Sequence, residues 1–203
     1  MTEDDLARAL APHHLTSLGH CPMEGGTLCL IGPDEPTFWP AFKQSPEYQD
    51  GDTNPMDRWS LRVLTEVAQD LGAKPFFPFQ GPPYRPFQTW ALQTGRFANS
   101  AIGFLAHDER GLFASFRGAL WLPALWPLAP NTAPALSATA MCAAACPVDA
   151  LADGYDVAAC KTHVASPQGQ DCRKGGCLSR RACAIGRDRR LPEQSAFHMK
   201  AFL

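Results

Sequence analysis

Six of the chain's eight cysteines, Cys142, Cys146, Cys160, Cys172, Cys177 and Cys183, crowd between positions 142 and 183 of 203, while Cys21 and Cys29 stand apart near the start. The first residues carry Glu3, Asp4 and Asp5 and lack the basic start and long apolar run of a secretory signal. A cytoplasmic location is therefore expected, where thiols are kept reduced and disulfides are rare. Such crowding then points to metal binding. Thiolates are soft ligands, and groups of four select zinc or iron–sulfur clusters over hard cations.

Spacing separates those two. A zinc ribbon presents two Cys-x2-Cys knuckles, and the sequence contains none. Bacterial cluster-binding runs read Cys-x2-Cys-x2-Cys-x3-Cys-Pro, the last cysteine serving a different cluster from the first three. Cys142-Ala-Ala-Ala-Cys146-Pro147 reproduces the end of that run, and Val148-Asp149-Ala150-Leu151 continues it.

On these residues, with Gly111–Leu120 before them and Tyr155-Asp156-Val157-Ala158-Ala159-Cys160 after them, the stretch from Gly111 to Gly186 resembles the iron–sulfur half of epoxyqueuosine reductase-type proteins and short bacterial ferredoxins. The resemblance implies that Cys146, Cys160 and two of Cys172, Cys177 and Cys183 bind a second cluster. The late cysteines depart from the usual pair separated by two residues: four lie between Cys172 and Cys177, five between Cys177 and Cys183. Upstream, the first two cysteines of the run are missing. Ala135 and Ala138 occupy one possible spacing, Leu136 and Thr139 the other, and none can bind iron. A first cluster would retain only Cys142 and one late cysteine, Cys183. The expectation is thus a ferredoxin-type electron carrier or redox accessory with at most one [4Fe–4S] cluster, held by Cys146, Cys160, Cys172 and Cys177, and a redox partner protein. Two alternatives stay open: a small cobalamin- or flavin-linked reductase of the same wider group, and a zinc-bound or metal-free relative that has lost electron transfer.

The fold expected is α+β, with a body over residues 1–130 and a ferredoxin-like module with a C-terminal tail over 131–203, divided where the composition turns to Pro and Ala. Asp4–Leu10 and Phe87–Thr94 read as helices. Asp57–Leu71, with Trp59, Val63, Leu64 and Val67 at steps of three and four and Gly72 as a stop, is the clearest one. Thr27–Ile31 and Ala73–Phe79 read as strands. Prolines 36, 40, 46 and 55 leave Pro33–Asp57 as an ordered loop without regular structure. Ala101–His107 and Leu112–Leu122 read as two strands joined by a turn at Asp108–Gly111.

Charge adds little: the net value of −2 gives no nucleic-acid footprint. The most apolar stretch, Ala119–Pro130, is broken by three prolines and is too short to span a bilayer. Cys29 reads as a core cysteine. His13, His14 and His20 read as solvated, and His107-Asp108 as turn residues with a catalytic pair as the alternative. His163 is a candidate outer donor or substitute ligand. Gly81–Phe87 reads as a packing loop or the rim of a cofactor pocket. Arg173, Lys174, Arg180 and Arg181 either solvate the module or dock an acidic partner.

Overall fold

Burial drives the first part of the chain into a sheet. The computed structural model describes the backbone of all 203 residues and the side chains of all but residues 138–141. A capped helix, α1 (Glu3–Leu10), opens it: Thr2 accepts from the Asp5 backbone N–H, and the Asp5 carboxylate accepts from that of Thr2. Strands β1 (Leu15–Met23) and β2 (Gly26–Pro33) then form an antiparallel hairpin. Every residue of β2 is buried, which makes it a central strand. Gly26 is required there, because a Cβ would stand 2.1 Å from the Leu122 carbonyl oxygen.

The proline-rich stretch is more regular than its composition suggests. It forms two short helices, α2 (Phe38–Phe42) and α3 (Pro46–Gln49), and α4 (Pro55–Asp70) starts two residues before Asp57. Pro46 and Pro55 sit at helix starts, where a missing N–H costs nothing. Phe38, Phe42 and Trp59 pack ring to ring at 5.3–5.9 Å, and Glu47 accepts two bonds from Arg62 at 2.6 and 3.1 Å. Next come β3 (Lys74–Phe76) and α5 (Phe87–Gln93).

Contacts divide the chain into two units: residues 1–96 with 115–131, and 97–114 with 132–203. The second unit therefore takes residues 97–114, which a linear cut at 130 leaves in the body. This division also explains a mispairing. Ala101–His107 and Leu112–Leu122 are not hairpin partners. β4 (Phe97–Asn99) pairs with β5 (Leu105–His107) in the second unit, while β6 (Gly118–Leu122) pairs with β2 and β3 in the first. The first unit holds a four-stranded antiparallel sheet in the order β1-β2-β6-β3, with α4 packed on β3 and β6.

The second unit continues through a 3-10 segment (Leu136–Ala145), α6 (Val157–Ala165), a 3-10 turn (Pro167–Gly169), α7 (Gln170–Gly175), α8 (Leu178–Ala182) and α9 (Pro192–Phe202). The whole is a mixed α+β protein with a small antiparallel sheet. Among the described residues no helix is long and apolar enough to cross a membrane.

Leu64 on α4 is fully buried, whereas Leu61 on the same helix is 41% exposed. Leu64→Ala is expected to cost about 2–5 kcal/mol of unfolding free energy in urea titrations, and Leu61→Ala no more than about 0.5 kcal/mol. Equal losses would contradict the packing of α4.

Candidate metal centre

Short helices and their caps set the positions of the late cysteines. Asp156 caps α6 by accepting from the Ala159 backbone N–H at 2.9 Å, which places Cys160 in the first turn. Cys146 closes the 3-10 segment, its N–H donating to the Ala143 carbonyl at 3.1 Å. Cys172 lies within α7 and Cys177 immediately precedes α8. Between them Gly176 adopts φ +87°, and a Cβ there would stand 2.8 Å from the Ser195 Cβ. Only glycine turns the chain there in left-handed backbone while α9 packs on α7.

This path brings Cys146, Cys160, Cys172 and Cys177 to the lining of one cavity of about 260 Å³, with Pro147, Leu151, Val164, Phe104 and Tyr155 among its apolar walls. Cys172 is buried and the other three are partly exposed. Their electrostatics are linked. Burial raises the Cys160 thiol above its ordinary value; Tyr155, which donates to its sulfur at 3.5 Å, pulls the other way, while Cys177 and Cys146 add to the rise. Burial likewise raises Cys172; the Leu178 backbone N–H donating to its sulfur opposes this, and Cys177 adds to it. Burial, then the bond to Cys160, keeps the Tyr155 hydroxyl protonated well above its usual range. Ser179 also lines the cavity; it is 1% exposed, and its Oγ has no hydrogen-bond partner among the described residues.

A single zinc ion needs its thiolate sulfurs about 2.3 Å from one point. Among the described residues no group of three or more His, Cys, Asp or Glu side chains is gathered tightly enough to hold one ion.

Cys142 and Cys183 are not among the lining residues. They hydrogen-bond to each other within an apolar cluster with Ile102, Ala106, Leu112 and Leu151, where α8 packs against the 3-10 segment. Ala135 is exposed, and Ala138 and Thr139 lie outside the residues whose side chains are described.

The remaining candidates are placed by ordinary packing. Cys21 and Cys29 are fully buried on adjacent strands. His20 is buried rather than solvated, its Nε2–H donating to the Pro127 carbonyl at 2.9 Å and its ring edge-on to Trp126. His14 takes the left-handed position that ends a 3-10 turn. His107 is 1% exposed, and its Nδ1 accepts from the backbone N–H groups of Glu109 and Arg110, so it organises the Asp108–Gly111 turn. His163 lines the cysteine cavity. In the Gly81–Phe87 loop, Arg85 lies over the Phe76 ring and Tyr84 is two-thirds exposed. Much of the basic charge beside the late cysteines is engaged internally: Arg173 donates to the Val164 and Ser166 carbonyls, Arg181 pairs with Asp171 at 2.8 Å, and Arg180 lies over Phe104.

Tyr155, Ser179 and Gly176 carry parts of this site that reasoning from cysteine spacing passes over. The Gly175-Gly176 pair was the readable sign of a turn. No family model matches the chain, and no characterised protein or solved structure shows significant similarity to it.

Burial, then neighbouring Cys183, pushes the Cys142 thiol from 9.0 up to about 11. Unfolded, it ionises near 9.0; folded, it keeps its proton, so across that window the unfolded state binds fewer protons and stability falls as pH rises. Cys142→Ala is expected to flatten the decline in urea midpoint between pH 9 and 11. An unchanged slope would place Cys142 in contact with solvent.

Proposed function

We propose that the chain is a ferredoxin-type electron carrier or redox accessory in which Cys146, Cys160, Cys172 and Cys177 hold one [4Fe–4S] cluster. The observation that carries this reading is that these four thiols, from four separate segments, line one cavity with apolar walls. Their chemistry fits the group: soft sulfur donors, in the number one cluster requires. Once bound, the cluster supplies a one-electron couple.

The chain's own residues do the rest. Pro147, Leu151 and Val164 limit water at the cavity. Hydrogen bonds from Tyr155 to Cys160 and from the Leu178 N–H to Cys172 reach ligand sulfurs, the lever by which a protein adjusts cluster potential. The rise in thiol pKa at Cys160 and Cys172 means that loading displaces protons, so metal uptake strengthens as pH rises. A ferredoxin-like ancestry for the second unit accords with the Cys142–Leu151 run and with Cys142 and Cys183 enclosed as an apolar thiol pair beside it. Exposed Val148, Tyr155 and Val157 flank Cys146 and Cys160 in sequence and offer contact area to a redox partner protein.

Anaerobic reconstitution is expected to give about four iron and four sulfide per chain. Replacing Cys146, Cys160, Cys172 or Cys177 singly by Ala should remove most of that iron, while Cys142→Ala and Cys183→Ala keep it. Iron near zero in the unmodified protein, or lost equally in all six variants, would overturn the assignment.

A further inference from the structure

The cavity that gathers the four cysteines is lined in part by a buried serine. Ser179 is the second residue of α8, two positions after Cys177. It is 1% exposed and lines the cavity, and its hydroxyl has no hydrogen-bond partner among the described residues. A buried hydroxyl without a partner is unfavourable by about 1–3 kcal/mol, and such groups in folded proteins ordinarily meet an acceptor. Tyr155, His163, Ser195 and His198 also line the cavity, but none of them accepts from the Ser179 hydroxyl. The four thiols share the cavity with it, and a protonated thiol is a weak acceptor. An anionic sulfur in the cavity would answer the hydroxyl.

We infer that the Ser179 hydroxyl donates a hydrogen bond to a sulfur of the bound cluster and raises its reduction potential; this rests on the reading of the cavity as a cluster site. One-electron reduction adds a negative charge to the cluster and its thiolates, with no bond broken and no proton transferred. The electron comes from a donor protein or, in vitro, from dithionite. An O–H dipole aimed at that charge stabilises the reduced form more than the oxidised one. Tyr155 acts in the same sense on a different sulfur, that of Cys160, so the two hydroxyls adjust the potential additively. Ser179 is thus a tuning residue and not a ligand.

The test is a redox titration of reconstituted protein, followed by the electron paramagnetic resonance signal of the reduced cluster, with iron content measured on each sample. Ser179→Ala is expected to retain full iron and to lower the reduced-to-oxidised ratio at a fixed ambient potential by roughly tenfold, a shift of about 59 mV to more negative potential. Ser179→Thr, which keeps the hydroxyl, should stay with the unmodified protein, and Ser179→Gly repeats the test should the alanine variant not fold. An unchanged potential in Ser179→Ala or Ser179→Gly at full iron content overturns the inference and leaves the cluster reading standing. Loss of iron in either variant, with iron retained in Ser179→Thr, overturns it also, because Ser179 would then be a ligand. An unmodified protein that takes up no iron removes both.

Discussion

Four thiols line one cavity, and two of them, Cys160 and Cys172, resist ionisation because burial and nearby cysteines favour the protonated form. That resistance is visible at Cys160 and Cys172, whose thiols are raised by burial first and by neighbouring cysteines second. In the second unit the Asp156 cap and the left-handed turn at Gly176 set where Cys160 and Cys177 lie, and the Tyr155 hydroxyl and the Leu178 N–H donate to the sulfurs of Cys160 and Cys172.

The contrast with Cys142 and Cys183 sharpens the point. Those two thiols also lie together, yet they answer each other with a hydrogen bond and are enclosed by Ile102, Ala106, Leu112 and Leu151. The Cys142 thiol, held protonated by burial and by Cys183, is a weak nucleophile. Cysteine count alone therefore says little; what differs between the two groups is whether the sulfurs face a cavity or a packed core.

Much of the first unit was legible because its signals are local and periodic. The apolar steps of α4 and the unbroken apolar run of β2 dictate one burial pattern each. What was not legible depends on pairing across long separations. Leu112–Leu122 has strand character, but its partner is decided by the gap between β2 and β3, not by the nearby turn. Pro46 and Pro55 discouraged regular structure on composition, yet each sits at a first helical turn where proline is well tolerated. In the candidate site the crowding of the cysteines was legible, and the turn between Cys172 and Cys177 is made by the end of α7 and Gly176. Ser179 gave no such sign, because a serine beside two arginines reads as surface until its burial is known.

We propose that the cavity houses an iron–sulfur cluster on four cysteines. The most direct measurement is the visible absorption and electron paramagnetic resonance spectrum of protein purified without air. The expected result is a broad sulfur-to-iron absorption that bleaches on reduction as a paramagnetic signal of one reduced [4Fe–4S] cluster appears. A colourless protein with one tightly held zinc, or a spectrum of corrin or flavin, would contradict the account.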